Sequence, residues 1–294
     1  YLVTQLAAAG CHVAFCDLDD AASRGTLDLC ADAGVKVTAH ACDVSSESDL
    51  QRFRDEIIAQ HETDHVDLLF NNAGVSGGQS FVNDNREQWD RTFAICWGGV
   101  YLGCRVFMPL LLKSEQAHII NTSSVNGFWG CLGSETEHSA YSSAKFAVKG
   151  FSESLMVDLR VNAPHIGVSV VMPGHIGTSI VANTQRMWEG EPEDMSAEYL
   201  DQARQSLARN DPNATRLDDD AMRQLMQLAA DRFLNDAPTT AEEAATVILD
   251  GVLAGQWRIL VGDDAKGLDA AVRANPERAY DADFEHPFSI MAAE

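Results

Sequence analysis

Val66-Asp67-Leu68-Leu69-Phe70 is a short apolar run that ends at once in Asn71-Asn72-Ala73-Gly74. Its length suits a buried strand, and the Asn and Gly behind it are residues of turns. Towards the C-terminus, residues 86–112 fit a long helix, His118 to Thr122 a strand, residues 139–162 a helix, and Val168 to Met172 a strand before Pro173-Gly174. Towards the N-terminus, residues 2–9 read as a helix closed by Gly10, and His12 to Phe15 as a strand ending in Cys16-Asp17. A helix over 20–33, a strand from Val35 to Cys42 and a helix capped by Ser45 or Ser46 and running to about Gln60 complete that half. Beyond Gly174 lies an irregular stretch with helices near 196–209 and 219–234. A helix at 240–254, a strand from Arg258 to Val261 and a loop-rich tail from Gly262 follow. Short strands alternating with helices of this length predict βαβ units and a parallel sheet.

The charge balance narrows the partners. Against 44 Asp and Glu stand 21 Lys and Arg, a formal charge of −23. Nucleic acid binders need a basic stripe that displaces counterions, so neither nucleic acid nor an anionic membrane surface is an expected partner. The apolar content of 46% is ample for a core. Even the apolar segment from Val100 to Leu112 contains Arg105, and no run of 18 apolar residues occurs, so a membrane-spanning helix is not expected. The seven cysteines (Cys11, Cys16, Cys30, Cys42, Cys96, Cys104 and Cys131) are odd in number and form no C-x-x-C pair, a usage that suits a reducing compartment. His61-Glu62-Thr63-Asp64-His65 matches the zinc-protease pattern H-E-x-x-H. That chemistry needs one helix through both histidines, whereas a strand is predicted from Val66 and no third ligand follows. No metal site is expected.

Tyr141-Ser142-Ser143-Ala144-Lys145 carries the strongest chemical signal, with Ser123-Ser124 at the end of the preceding strand. On a helix, positions i and i+4 share a face. The Lys145 ammonium is then expected to lower the Tyr141 phenol pKa from about 10 towards a usable value. A serine hydroxyl from the neighbouring strand end would polarise the same substrate oxygen.

These residues, with Asn71-Asn72-Ala73-Gly74, Asn121-Thr122-Ser123-Ser124 and Pro173-Gly174-His175-Ile176-Gly177-Thr178, resemble the motifs of the short-chain dehydrogenase/reductase family, in its order and at nearly its spacings. The resemblance covers residues 1 to about 180 closely and 240–261 loosely. It implies a Rossmann-type doubly wound parallel sheet in one NAD(P)-binding domain over 1–262, with a helical substrate lid at about 179–238 and a tail at 263–294. Ser124, Tyr141 and Lys145 take the family's catalytic positions; the interval from Ser124 to Tyr141 is about four residues longer than usual, which leaves Ser123 as a second candidate. The cofactor-binding residues carried over are Asp43, Val44, Asn71, Ala73, Gly74, Tyr141, Lys145, Pro173, Gly174, Ile176 and Thr178. The first two would contact adenine, Asn71 and Gly74 would line the adenosine side and support the central strand, and Ile176 and Thr178 would hold the carboxamide. Asp17 ends the second strand of the βαβ unit, where a carboxylate accepts the ribose hydroxyls. With Asp19 and Asp20 beside it, a 2′-phosphate would meet like charge, so NAD is expected in preference to NADP.

Two positions depart from the family. The glycine-rich turn is missing upstream of Asp17, so the first, central strand and its phosphate-cradling loop are expected to precede Tyr1. The family's helical Asn, which helps hold a water in the proton relay behind the Lys, is replaced within Ile95-Cys96-Trp97-Gly98-Gly99-Val100 by Cys96, a weak hydrogen-bonding group. The apolar residues Met187, Trp188, Met195, Tyr199, Met222, Met226 and Phe233 either roof a hydrophobic substrate or pack their helices together. His175 either touches substrate or caps a turn. The resulting expectation is alcohol–carbonyl interconversion with NAD(H) on a small-molecule substrate, by a cytoplasmic homodimer or homotetramer. Enoyl reduction is disfavoured, because relatives with that chemistry place the Lys seven residues after the Tyr, where this chain has Val148. The alternative is a catalytically weak or silent nucleotide-binding homologue with a regulatory or scaffold role.

Overall fold

A computed structural model describes residues 1–77, 80–83, 85–133, 137–209 and 211–286. The chain divides into two compact units, Tyr1–Gly174 with Ala241–Glu294, and His175–Thr240.

The first unit opens with α1 (Leu2–Ala8), β1 (Val13–Asp17), α2 (Asp20–Leu29), β2 (Val37–Ala41), α3 (Glu47–His61) and β3 (Leu68–Asn71). It continues through α4 (Arg86–Phe93), a π turn at Ala94–Gly98, α5 (Gly99–Leu111), β4 (Ala117–Thr122), α6 (Ser139–Asn162) and β5 (Ile166–Pro173). The second unit holds β6 (Ile176–Gly177), α7 (Ile180–Glu189), α8 (Ala197–Ala208), α9 (Asp219–Asn235) and β7 (Thr239–Thr240). The chain then returns to the first unit as α10 (Ala241–Leu253), β8 (Arg258–Val261) and α11 (Asp263–Ala274).

All ladders are parallel, as the βαβ alternation requires. β1 pairs with β2, with Asp17 opposite Ala41, and β3-β4-β5-β8 form a four-stranded ladder in which Asn71 faces Asn121 and Thr122 faces Val171. The chemistry-bearing residues therefore gather at the carboxyl ends of the strands, where open α/β sheets bind ligands. Helix starts follow side-chain caps: Asp19 accepts from Ala21 and Ala22 N–H, Ser46 from Asp49 N–H, and Asn85 from Glu87 N–H. The main core packs Leu50, Phe53 and Ile57 of α3, Cys104, Phe107 and Leu111 of α5, and Ile119 and Val168 of the sheet. Such packing explains why the helix over Arg86–Leu111 holds a stretch of mean hydropathy 1.5, apolar and long enough to cross a membrane, yet buries 56% of that stretch inside the fold.

Several elements differ from the sequence reading. The long helix is interrupted by the π turn at Ala94–Gly98, and a further helix, α7, lies in the stretch read as irregular. The tail is not all loop: α11 buries Ala265 and Leu268 against Val125 and Trp129, and its Asp269 accepts from Arg258 of β8 and from Arg273. Val125 and Trp129 are remote in sequence, so no local pattern announced that packing. α3 ends at His61, because Glu62 turns left-handed (φ 52°). His65 therefore lies beyond the helix, and the H-E-x-x-H geometry is not formed.

Residues 179–238, expected as a lid, fall inside the second unit. Its own core is Met195, Leu200 and Met222, with Tyr199 and Met226 against them, so these apolar side chains serve packing. His175 Nε2 pairs with the Phe233 carbonyl at 2.8 Å, and the two ring centres lie 4.3 Å apart with their planes tilted by 37°.

Candidate active site

β4 ends at Thr122, and the next two residues part company. Ser123 continues the ladder through its N–H to Val171 O, and its buried Oγ donates to Lys145 O at 2.8 Å. Ser124 is extended and caps a 3-10 turn at Val125–Gly127: its Oγ accepts from Asn126 N–H at 3.2 Å. The Ser124 hydroxyl also acts on the Tyr141 phenol, favouring its ionised form. Of the two candidates, Ser124 is the serine beside the phenol. The Asn126 amide donates to Trp129 O and Cys131 O, which closes the loop behind that serine.

Lys145 is 2% exposed, and its Nζ donates to Thr122 O at 2.9 Å while lying 5.4 Å from the centre of the Tyr141 ring. The i, i+4 spacing brings the pair together as expected, but the electrostatic outcome differs. Burial pushes the Tyr141 pKa above its ordinary value; Lys145 pulls the other way, Cys96 adds to the rise, and the Ser124 hydroxyl opposes it. Desolvation of the phenolate outweighs the ammonium beside it.

Cys96 stands on the π turn, a local widening frequent at functional sites. It is fully buried, and its Sγ donates to Val75 O at 3.4 Å. A Cβ added to Gly74 would lie 3.6 Å from Lys145 Nζ and 3.7 Å from Cys96 Sγ, so Gly74, Cys96 and Lys145 surround one small space. Cys96 is thus brought to the lysine.

The nucleotide-side residues are spread more widely. Asp17 is exposed at the end of β1, with Oδ1 accepting from Asp19 N–H at 3.0 Å. Asp43 is engaged within the protein: Oδ2 accepts from Arg91 at 2.7 Å and Oδ1 from the Ser45 N–H and hydroxyl. Burial tends to raise the Asp43 pKa, but the Ser45 and Arg91 hydrogen bonds outweigh it and hold the carboxyl below its usual range. Val44 packs against Gly99 at the start of α5, where a Cβ would crowd it at 2.9 Å. The Asn71 amide donates to Asn121 Oδ1 at 2.9 Å and to Cys104 Sγ at 3.3 Å, and Asn121 in turn donates to Ser152. That network ties β3, β4, α5 and α6 together. Ala73 is exposed beyond it. Pro173 ends β5, and Gly174 N–H bonds Val261 O where any Cβ would strike the Asp264 carboxylate. Ile176 and Thr178 belong to the second unit, with Ile176 paired to Thr239. The sequence reading passed over Arg91, Asn126 and His138; the position of His138, three residues before Tyr141, was the available signal.

The residues present suit a dinucleotide at two points. Asp17 offers a carboxylate at a strand's carboxyl end, the donor-set partner of a ribose diol, and Gly74 leaves a gap beside Lys145 that any side chain would fill.

The family model of short chain dehydrogenases matches residues 1–189. The chain is 28% identical over 272 residues to the protein SadH of Mycobacterium tuberculosis, covering 92% of this chain and 84% of that one. A short chain dehydrogenase/reductase from Burkholderia phymatum, solved in complex with NAD, is similar in structure with a TM-score of 0.73 at 27% identity, over 94% of this chain and 88% of that one. A metagenomic short-chain oxidoreductase, solved in complex with NADP, has a TM-score of 0.53 at 29% identity, over 59% of this chain and 75% of the other.

Proposed function

Because the chain belongs to the short chain dehydrogenase family, an oxidoreductase family, we propose that it interconverts an alcohol and a ketone or aldehyde with NAD(H). The observation that carries this reading is the grouping of Ser124, Tyr141 and Lys145, with Ser124 and Lys145 both favouring the phenolate and the Lys145 ammonium 5.4 Å from the ring centre.

Tyr141 Oη gives its proton to the carbonyl oxygen in reduction and takes it back in oxidation. Ser124 Oγ already accepts the Asn126 N–H, which directs the hydroxyl's own proton to Tyr141 Oη or to the substrate oxygen. Lys145, anchored on Thr122 O, favours the phenolate that forms in each cycle. Cys96, beside Gly74 and Lys145, takes the place of the relay asparagine. When bound, the nicotinamide supplies or accepts the hydride. Asp17 would hold the adenosine ribose, and its charge together with that of Asp19 favours NAD over the 2′-phosphorylated cofactor. Gly74 would leave room beside Lys145.

A panel of alcohols and ketones with NAD(H) and NADP(H), with Tyr141→Phe as control, tests the reading. General acid–base loss predicts a fall of about 10²–10⁴-fold in kcat for that variant. Absence of turnover across the panel would favour the silent-homologue alternative, against which the complete Ser124–Tyr141–Lys145 group weighs.

A further inference from the structure

His138 is the N-cap residue of α6, three residues before Tyr141. The ring centres lie 4.7 Å apart with their planes inclined by 35°. His138 is 5% exposed, and its Nδ1 meets no hydrogen-bond partner among the described residues. In the same unit His40 bonds Glu56 and Thr38, His61 bonds Thr38 and His118 bonds Ser169, while His165 Nε2 shares with His138 Nδ1 the lack of a partner among the described residues but has no catalytic candidate described beside it. Burial pushes the His138 pKa down to about 4, so at neutral pH the ring is uncharged, with one N–H donor and one acceptor nitrogen. A buried polar atom left unpaired costs folding free energy, and native structures keep few of them. Phenylalanine would preserve the contact with Tyr141 without that cost. The imidazole is thus an unfavourable choice for packing, placed against the residue that moves the proton.

We propose that His138 is a specificity residue whose imidazole hydrogen-bonds a second substrate oxygen, carried next to the carbon that exchanges hydride. The preferred substrates are then vicinal diols and the hydroxy ketones or diketones related to them by oxidation. This rests on the alcohol–carbonyl reading above. The tilted ring contact with Tyr141, centres 4.7 Å apart, sets the geometry: oxygens bonded to the imidazole and to Tyr141 Oη are then held close together, as are oxygens on adjacent carbons. A neutral imidazole also suits both redox states, since its N–H donates to a carbonyl and its bare nitrogen accepts from a hydroxyl.

The test compares cyclohexane-1,2-diol with cyclohexanol as substrates of the whole chain and of its His138→Phe and His138→Gln variants. A site that hydrogen-bonds a substrate hydroxyl discriminates strongly against analogues lacking it, so the unaltered protein is expected to favour the diol in kcat/KM by at least about tenfold. His138→Phe removes most of that preference through a higher KM for the diol, and His138→Gln retains part of it. The melting temperature of His138→Phe is expected to stay level or rise, because the orphaned nitrogen is gone. Binding is read without turnover as the rise in melting temperature caused by each compound, larger for the diol and lost in His138→Phe. An unchanged preference, or equal losses on both substrates with a lower melting temperature, overturns the proposal. A diol-specific melting shift without turnover of either compound would instead sink the alcohol–carbonyl reading and leave the His138 contact standing.

Discussion

Ser123 Oγ donates to the carbonyl oxygen of Lys145 at 2.8 Å and thereby ties the end of β4 to the second turn of α6. Consecutive residues of an extended chain face opposite ways, so Ser124 is turned to Tyr141 while its neighbour is turned into the protein. Gly127 permits the arrangement: a Cβ there would intrude on Ser123 Oγ and lie 2.9 Å from Lys145 O.

The two serines should therefore separate cleanly. Ser124→Ala is expected to lower kcat by about 10²–10³-fold, the usual loss of a transition-state hydrogen-bond donor, with a near-native melting temperature. Ser123→Ala should cost about 1–3 kcal/mol of stability and less than about tenfold in kcat. Denaturant titration and steady-state kinetics on both variants decide it, and the reverse pattern would reassign the catalytic serine to Ser123.

The pH profile follows from the raised Tyr141 pKa. Oxidation needs the phenolate as base and reduction the phenol as acid, so oxidation should gain with rising pH and reduction should fade through the same pKa. Lys145→Met removes the cation that pulls this pKa down. Its oxidation limb should move further alkaline, with about tenfold lost at neutral pH for each unit of displacement. kcat/KM measured against pH for both forms checks the sign; an unmoved limb would deny Lys145 its electrostatic role.

Cofactor choice is tested at Asp17. Asp17→Ala removes both an acceptor for the ribose hydroxyls and a charge that repels a 2′-phosphate. The preference for NAD over NADP should fall by at least about tenfold, roughly 1.4 kcal/mol. An unaltered ratio of kcat/KM values would leave Asp17 as a turn residue holding Asp19 N–H.

Cys96 offers one weak donor, already directed at Val75 O, where asparagine would bring two donors and a good acceptor. Cys96→Asn should raise kcat by a few-fold to about tenfold, on the order of 1 kcal/mol of barrier, with little change in KM. If kcat and melting temperature both fall while Cys96→Ala is harmless, Cys96 is buried filler and the relay assignment is wrong.

Much of this molecule was readable in the chain's order. The alternation of short apolar runs with amphipathic stretches announced the parallel α/β fold, because strand and helix periods are local properties. The five residues from Tyr141 to Lys145 announced their own pairing, because helical geometry alone puts i and i+4 together. Ser45-Ser46 announced the start of α3 to within one residue, and the structure makes Ser46 the cap. Other features depend on residues far apart in sequence. Which serine meets Tyr141 depends on Lys145 offering its carbonyl to Ser123. The direction of the Tyr141 pKa depends on how thoroughly the surrounding elements exclude water, a quantity no spacing encodes. α11 exists as a packed helix because Trp129 and Arg258 are there to receive Leu268 and Asp269. The isolation of His138 is likewise a fact about neighbours. Hydrogen-bond pairing and desolvation are settled by what packs against a group, and packing partners are chosen by the folded chain as a whole.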